Sequence, residues 1–292
     1  MLYNVRLTLT YDYHAPVLGG RHHIRVLPSS INGIQTVESA SLYFTPQPES
    51  WSLFGDFFGN AVYDIAFAEP HRQLDISLDA RITVDERLFP TDVSGTIAQL
   101  GEELSRTWTV RNDSPHHFLA GSPRIRIDAD ITDYARTVTT GAQSVYAIAL
   151  ALCNAINRDF VYDPHATDVE TATEDAFAMR RGVCQDFAHV MITALRGMGI
   201  PAGYVSGFLR TIPPPGQPRL EGADAMHAWV RVWCGSAMGW VEFDPTNAIL
   251  AGNGHIRIGH GRDYSDVSPI VGVLRTHGSH ETRQFVDVIA VE

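Results

Sequence analysis

The sequence predicts an α+β protein in which an N-terminal antiparallel β-sandwich-like domain precedes a core of helices packed on an antiparallel sheet. Three observations lead to that class. Apolar and polar residues alternate through the first part of the chain, a helical period takes over near residue 142, and alternation returns beyond Pro201. Each pattern follows from geometry, because side chains repeat every two residues on a strand and about every 3.6 on a helix.

Residues 1–110 form the predicted β-domain. Tyr3, Val5, Leu7, Leu9 and Tyr11 alternate with polar neighbours, and residues 24 to 27, Leu42 with Phe44, Ala61 to Ile65 and Leu74 to Val84 continue the pattern. Turn formers separate them at Asn32-Gly33, Pro46-Gln47-Pro48 and Gly59-Asn60, which predicts a sandwich or barrel of short strands. Residues 111–141 contain Ser114-Pro115 and Gly121-Ser122-Pro123 with little period, so a connector with room for one short helix is expected. Residues 142–275 form the predicted core. Val145, Ile148, Ala149, Leu152 and Ile156 share one helical face, and Phe187, Val190, Met191, Ala194, Leu195 and Met198 share another. The sheet is predicted from Ala202 to Leu209, Ala228 to Trp233 and Trp240 to Phe243. The proline-rich stretch Pro213–Pro218 is expected to make a hairpin-like excursion before His227. In residues 276–292, Phe285 to Val291 alternate as a closing strand able to pair with either domain, and a return to the first sheet would tie the two halves together.

A net charge of −11 argues against nucleic acid or an anionic membrane surface as partner, since both would repel the chain at long range. Met1 is followed at once by an alternating strand rather than by a basic and then apolar leader, and no apolar run approaches the ~18 residues of a membrane span. Cys153, Cys184 and Cys234 make no C-x-x-C pair and no disulfide framework, so a reducing, cytoplasmic setting is expected. His22-His23, His255 and His260 lack the spacing or cysteine partners of a zinc site, and no acidic loop of EF-hand type is present. Neither a catalytic metal nor a cofactor is expected.

Three residues stand in contexts that suit thiol catalysis. Cys184 follows Gly182-Val183 at the start of a helical period, where unpaired N–H groups and the helix dipole favour a thiolate. His227 opens an alternating strand with Trp229, Arg231 and Trp233 on its face. Asp244 ends the next strand, and Cys234 to Gly239 is short enough for a hairpin that sets Asp244 beside His227 at one end of the sheet. The carboxylate would then accept a hydrogen bond from one imidazole nitrogen and leave the other for the thiol. Taken singly, each residue also has a plain structural reading: a small buried hydrophobe, a strand-end histidine, and an Asp-Pro turn.

Gly182-Val183-Cys184-Gln185-Asp186-Phe187-Ala188-His189, His227-Ala228-Trp229-Val230 and Gly239-Trp240-Val241-Glu242-Phe243-Asp244-Pro245-Thr246-Asn247 together resemble the bacterial transglutaminase-like family. The resemblance extends through Phe160-Val161-Tyr162-Asp163-Pro164, Gly199-Ile200-Pro201-Ala202, Tyr204-Val205-Ser206-Gly207 and Gly261-Arg262-Asp263-Tyr264-Ser265-Asp266-Val267. In the N-terminal half Tyr11-Asp12-Tyr13, Arg25-Val26-Leu27-Pro28 and Asp56-Phe57-Phe58-Gly59-Asn60 look like the β-domain that precedes the core in this family. The family implies a papain-related core with Cys184 as nucleophile, His227 as general base and acid, and Asp244 as orienter. It also implies a peptide or protein amide substrate and a thioester intermediate. Hydrolysis is the expected outcome because water is ubiquitous; transamidation of glutamine and a non-catalytic binding module are the alternatives.

Neighbouring residues are given plainer roles. Asp186 is expected to complement the helix dipole, Gln185 to face solvent, and Trp229, Trp233 and Trp240 to form core or groove wall. Tyr204 and Tyr264 are candidate cleft residues, and Arg262, Asp263 and Asp266 are expected to make structural ion pairs. The backbone N–H of Cys184 is the one readable oxyanion donor, while Cys153 and Cys234 are expected to be structural.

Overall fold

Alternation in the N-terminal half produces six strands: β1 (Leu2–Val17), β2 (Gly20–Ile24), β3 (Gln35–Thr45), β4 (Ser50–Gly55), β5 (Ala61–Phe67) and β6 (His71–Val84). The computed structural model describes residues 1–86, 91–211 and 224–291, so the predicted excursion at Pro213–Pro218 lies outside the described residues. A helix not expected from the sequence follows, α1 (Ile97–Arg106). Its signal is a capping box: Thr96 Oγ1 accepts from the Gln99 N–H while Gln99 Oε1 accepts from the Thr96 N–H at 2.8 Å. Leu100 and Leu104 bury its apolar side among the later helices.

The connector holds a 3₁₀ turn at Pro115–Phe118 and a full helix, α2 (Ala129–Val138), started by the Asp128 side chain accepting from the Ile131 N–H. Next come α3 (Val145–Asp159), β7 (Val161–Tyr162), α4 (Thr173–Met179), β8 (Arg181–Gly182) and α5 (Cys184–Gly197). Every residue of α5 from Asp186 to Arg196 is buried, as expected of a helix that is apolar nearly all round. Its one deeply buried cation, Arg196, is satisfied by the carbonyls of Ala120, Ala202 and Arg262 and the Ser122 hydroxyl. The chain continues with β9 (Ala202–Leu209), β10 (Ala225–Trp233), β11 (Trp240–Asp244), β12 (Ile249–Leu250) and β13 (His255–Gly261). It closes with α6 (Tyr264–Val267), β14 (Ile270–Leu274) and β15 (His280–Val291).

Two four-stranded antiparallel sheets, ordered β15-β1-β6-β3 and β14-β2-β5-β4, make the sandwich. Val5 and Leu7 of β1, Ile24 of β2, Ile65 of β5, Ile76 of β6 and Val286 and Val288 of β15 share its core. Each sheet thus recruits one strand from the C-terminal end, and β15 pairs with β1 from Leu2↔Val291 to Tyr13↔His280. The remaining residues stand between these returns. There a five-stranded sheet, β12-β11-β10-β9-β13, lays Ala202, Tyr204, Ala228, Val230 and Val232 against α5. From the same sheet Phe208, Ile256 and Ile258 join the sandwich core, so the two halves pack through it. Among the described residues no helix is long and apolar enough to cross a membrane.

Candidate active site

The β7–β8 pair, Val161↔Arg181 and Tyr162↔Gly182, feeds the chain into α5. Glycine is required at 182: φ is +155°, and a Cβ there would lie 2.4 Å from Asp186 Oδ2. That close carboxylate accepts from the Val183 N–H at 2.8 Å and from the Thr167 hydroxyl at 2.6 Å, which fixes the helix start and the loop above it. Burial nevertheless pushes the Asp186 carboxyl up, against the lowering effect of these bonds. Its main work is therefore as an acceptor, rather than the simple dipole partner expected from sequence. Cys184 is the first residue of α5 and is partly exposed, as is Gln185, which donates to the Val169 carbonyl at 3.2 Å.

His227 stands on β10 opposite Gly207 of β9, with only 8% of its surface exposed. A Cβ on Gly207 would come within 2.4 Å of the Trp229 ring and 2.1 Å of the Ile256 carbonyl, so glycine makes room for the aromatic layer beside His227. The hairpin register Trp233↔Trp240 to Val230↔Phe243 carries Asp244 to the same end of the sheet. His227 Nε2 donates to Asp244 Oδ2 at 2.8 Å, and Cys184 lies near enough to the same ring to favour its protonation. With Nε2 committed to the carboxylate, Nδ1 is the nitrogen left for sulfur. The three residues expected from sequence are thereby brought together.

Asp244 is 0% exposed yet fully satisfied. Oδ1 accepts from the backbone N–H groups of Thr246 at 2.9 Å and Asn247 at 3.2 Å, and Oδ2 accepts from the Asn247 amide at 2.7 Å as well as from His227. Burial opposes its charge, but the bonds from His227, His255 and Asn247 outweigh burial and hold the carboxyl well below the usual range. For His227 burial again opposes charge, and the bond to Asp244 with the nearby Cys184 prevails, pushing it up to about 10.

His255 was not foreseen as part of this site. Its Nε2 lies 3.1 Å from Asp244 Oδ2, its Nδ1 accepts from the Gly252 N–H at 3.2 Å, and Trp229 packs edge-on at 5.1 Å. The ligand atoms of His227, Asp244 and His255 lie within 4.8 Å of one another, a spacing that also suits a metal ion. The hydrogen bonds argue for protons instead. A metal on His255 Nε2 would require a proton on Nδ1, which would then face the Gly252 N–H donor.

Around this cluster, Trp229 is core and donates to Glu242, whose other oxygen pairs with Arg257 at 3.1 Å. Trp233 and Trp240 pack on each other at 5.5 Å, and Arg231 lies 3.9 Å over the Trp240 ring. Tyr162 and Tyr204 both stand near Cys184, and Tyr264 stacks edge-on with Tyr204. Arg262 and Asp266 form a bidentate pair at 2.9 Å, whereas Asp263 caps α6 and accepts from the Arg124 N–H. Cys153 and Cys234 are buried, and burial pushes both thiols up to about 12.

Sandwich, papain-like core and converged thiol, imidazole and carboxylate define a class that sequence comparison specifies. Residues 132–245 match the model of the transglutaminase-like superfamily, and residues 3–83 match that of the bacterial transglutaminase-like N-terminal region. An uncharacterized protein of Mycobacterium bovis is 34% identical over 255 residues, covering 86% of this chain and 81% of that one. One from Mycobacterium leprae is 29% identical over 281 residues, covering 95% of each. The chain belongs to the transglutaminase-like superfamily and carries its bacterial N-terminal region. A protein-glutamine gamma-glutamyltransferase of Pseudomonas aeruginosa is 30% identical over 177 residues, which cover 60% of this chain and 25% of that one. For the fold, a crystal structure from Cytophaga hutchinsonii, provisionally named a cysteine protease, aligns with a TM-score of 0.74 at 22% identity over 100% of this chain and 92% of that one.

Proposed function

We propose that this protein is a thiol enzyme that hydrolyses peptide or other amide bonds, with Cys184 as nucleophile, His227 as general base and acid, and Asp244 as orienter. One observation carries the reading: a buried imidazole is held between a carboxylate at 2.8 Å and the Cys184 thiol. A ring fixed on one side by an ionised carboxylate keeps one tautomer and presents its other nitrogen to the nucleophile. The high proton affinity of His227 favours an imidazolium beside a thiolate.

In the first half-reaction the thiolate attacks the carbonyl carbon, and the resulting oxyanion is met by the Cys184 N–H, which has no intrahelical acceptor at the helix start. His227 then gives its proton to the departing nitrogen, the C–N bond breaks, and a thioester remains. In the second half, water attacks the thioester while His227 takes one of its protons. The acid leaves and the thiolate is restored with the ring again protonated. Gln185 is committed to Val169 and is not assigned as the second oxyanion donor.

Hydrolysis is preferred because the nucleophile lies open to water: Cys184 is partly exposed, and Tyr162 beside it is 56% exposed. Transfer to an amine is the second reading, favoured by the similarity to a protein named a glutamine gamma-glutamyltransferase. Incubation with a glutamine peptide and a labelled primary amine separates the two. Free acid and ammonia should exceed incorporated label; label outrunning free acid would overturn hydrolysis. Cys184→Ala should lower turnover at least about 10³-fold with stability within about 0.5 kcal/mol of the parent. Equal turnover by parent and variant would remove Cys184 as nucleophile, and no turnover by either would leave a binding module.

A further inference from the structure

Asp244 Oδ2 receives a second imidazole donor that the thiol mechanism does not use. His255 comes from β13, on the far edge of the sheet from β12, and reaches the carboxylate because the 251–254 crossover passes Trp229, where Ala251 packs with Val205. Its tautomer is set by its surroundings. The Gly252 N–H points at Nδ1, so the ring proton resides on Nε2 and is donated to Asp244. His255 is 1% exposed, so this bond faces no competition from bulk water.

We propose that His255 is a positioning residue acting through Asp244: by donating to the same oxygen that holds His227, it draws off part of that oxygen's negative charge and keeps His227 able to release its proton. The inference rests on the reading of His227 as general acid. The carboxylate does not depend on His255 for its place, since the Thr246 and Asn247 backbone N–H groups and the Asn247 amide remain on it. What His255 controls is how tightly the carboxylate retains the shared proton of His227. Among the described residues, the titratable groups facing the cluster are Cys184 from α5, His227 from β10, Asp244 from β11 and Cys153 from α3, with Glu242 and Arg257 paired behind Trp229. Cys153 stays neutral through the range of interest because burial pushes its thiol up to about 12.

The sign follows directly. Loss of this donor concentrates charge on Oδ2, strengthens the bond to the imidazolium, and moves the His227 titration to higher pH. A more basic ring is a poorer acid toward the departing nitrogen, so kcat falls while KM is steady. The experiment compares full-length parent, His255→Leu and His255→Gln by long-range ¹⁵N–¹H NMR of the imidazoles across pH, alongside kcat and KM profiles. His255→Leu should raise the His227 midpoint by about half a unit and lower kcat severalfold. His255→Gln, which keeps a donor toward Asp244, should restore both. An unmoved His227 midpoint in His255→Leu, or no restoration by glutamine, would overturn the proposal. If the leucine variant does not fold, the parent spectrum decides: an Nε2–H tautomer for His255 is required, and an Nδ1–H tautomer would overturn it. The NMR titration is independent of turnover, so a silent enzyme with the expected midpoint shift would count against the hydrolase reading and not against this one.

Discussion

Asp244 gathers five hydrogen-bond donors around one buried carboxylate, and that concentration makes it the most sensitive residue of the site. Asp244→Asn places an amide N–H among donors and removes the charge that orients His227. Turnover should drop by about 10³ to 10⁴-fold in steady-state assays, with weak activity remaining. The same pair gives a pH signature. The depressed carboxyl contributes stability that is present above its unfolded value near 3.8 and lost as pH falls through the folded one. His227, raised from 6.5 to about 10, contributes stability that is fully present below 6.5 and lost as pH rises through about 10. Thermal unfolding should therefore show a plateau between about pH 4 and 6.5 that Asp244→Asn flattens. The convergence of Cys184, His227 and Asp244 was legible because each stands at the end of a regular element whose neighbour in the fold is fixed by a helix start or a short hairpin. His255 was not, because its contact arises from a crossover between opposite sheet edges, a relation that no local spacing encodes.

At the level of elements, the start of α5 depends on a glycine and a carboxylate that fit each other. Asp186→Ala should cost about 1–2 kcal/mol in urea unfolding, since the Val183 N–H and Thr167 hydroxyl lose their shared acceptor. Asp186→Asn should be near neutral at pH 7, because it keeps an acceptor and relieves the burial that pushes the carboxyl up. Equal losses in both variants would mean that the charge itself holds the helix. The strands of the sandwich and the long helices α3 and α5 were readable because their apolar periods are unbroken. Helix α1 was missed because only Ile97, Leu100 and Leu104 mark its apolar side among polar residues; the Thr96 and Gln99 capping pair was the usable sign.

Across the whole molecule, the sandwich is completed by strands from the far end of the chain. Removing residues 280–292 would strip β1 of its outer partner and uncover the core around Val286 and Val288. Burial of those two valines alone is worth about 3–6 kcal/mol, so the truncated protein should unfold at much lower urea and be cut readily by added protease. Activity should fall with it, although the hydrogen bonds on Asp244 come from β10, β13 and the 246–247 turn and not from β15. That β1 and β2 find their outer neighbours only beyond α6 also has a kinetic meaning. On the ribosome, the first six strands must wait, with one flank of each sheet open, until residues 270–291 have emerged. Closing them brings together segments of very large sequence separation, which is entropically slow. The papain-like half is assembled from nearer neighbours, so in refolding its helices should acquire amide protection before β1 does.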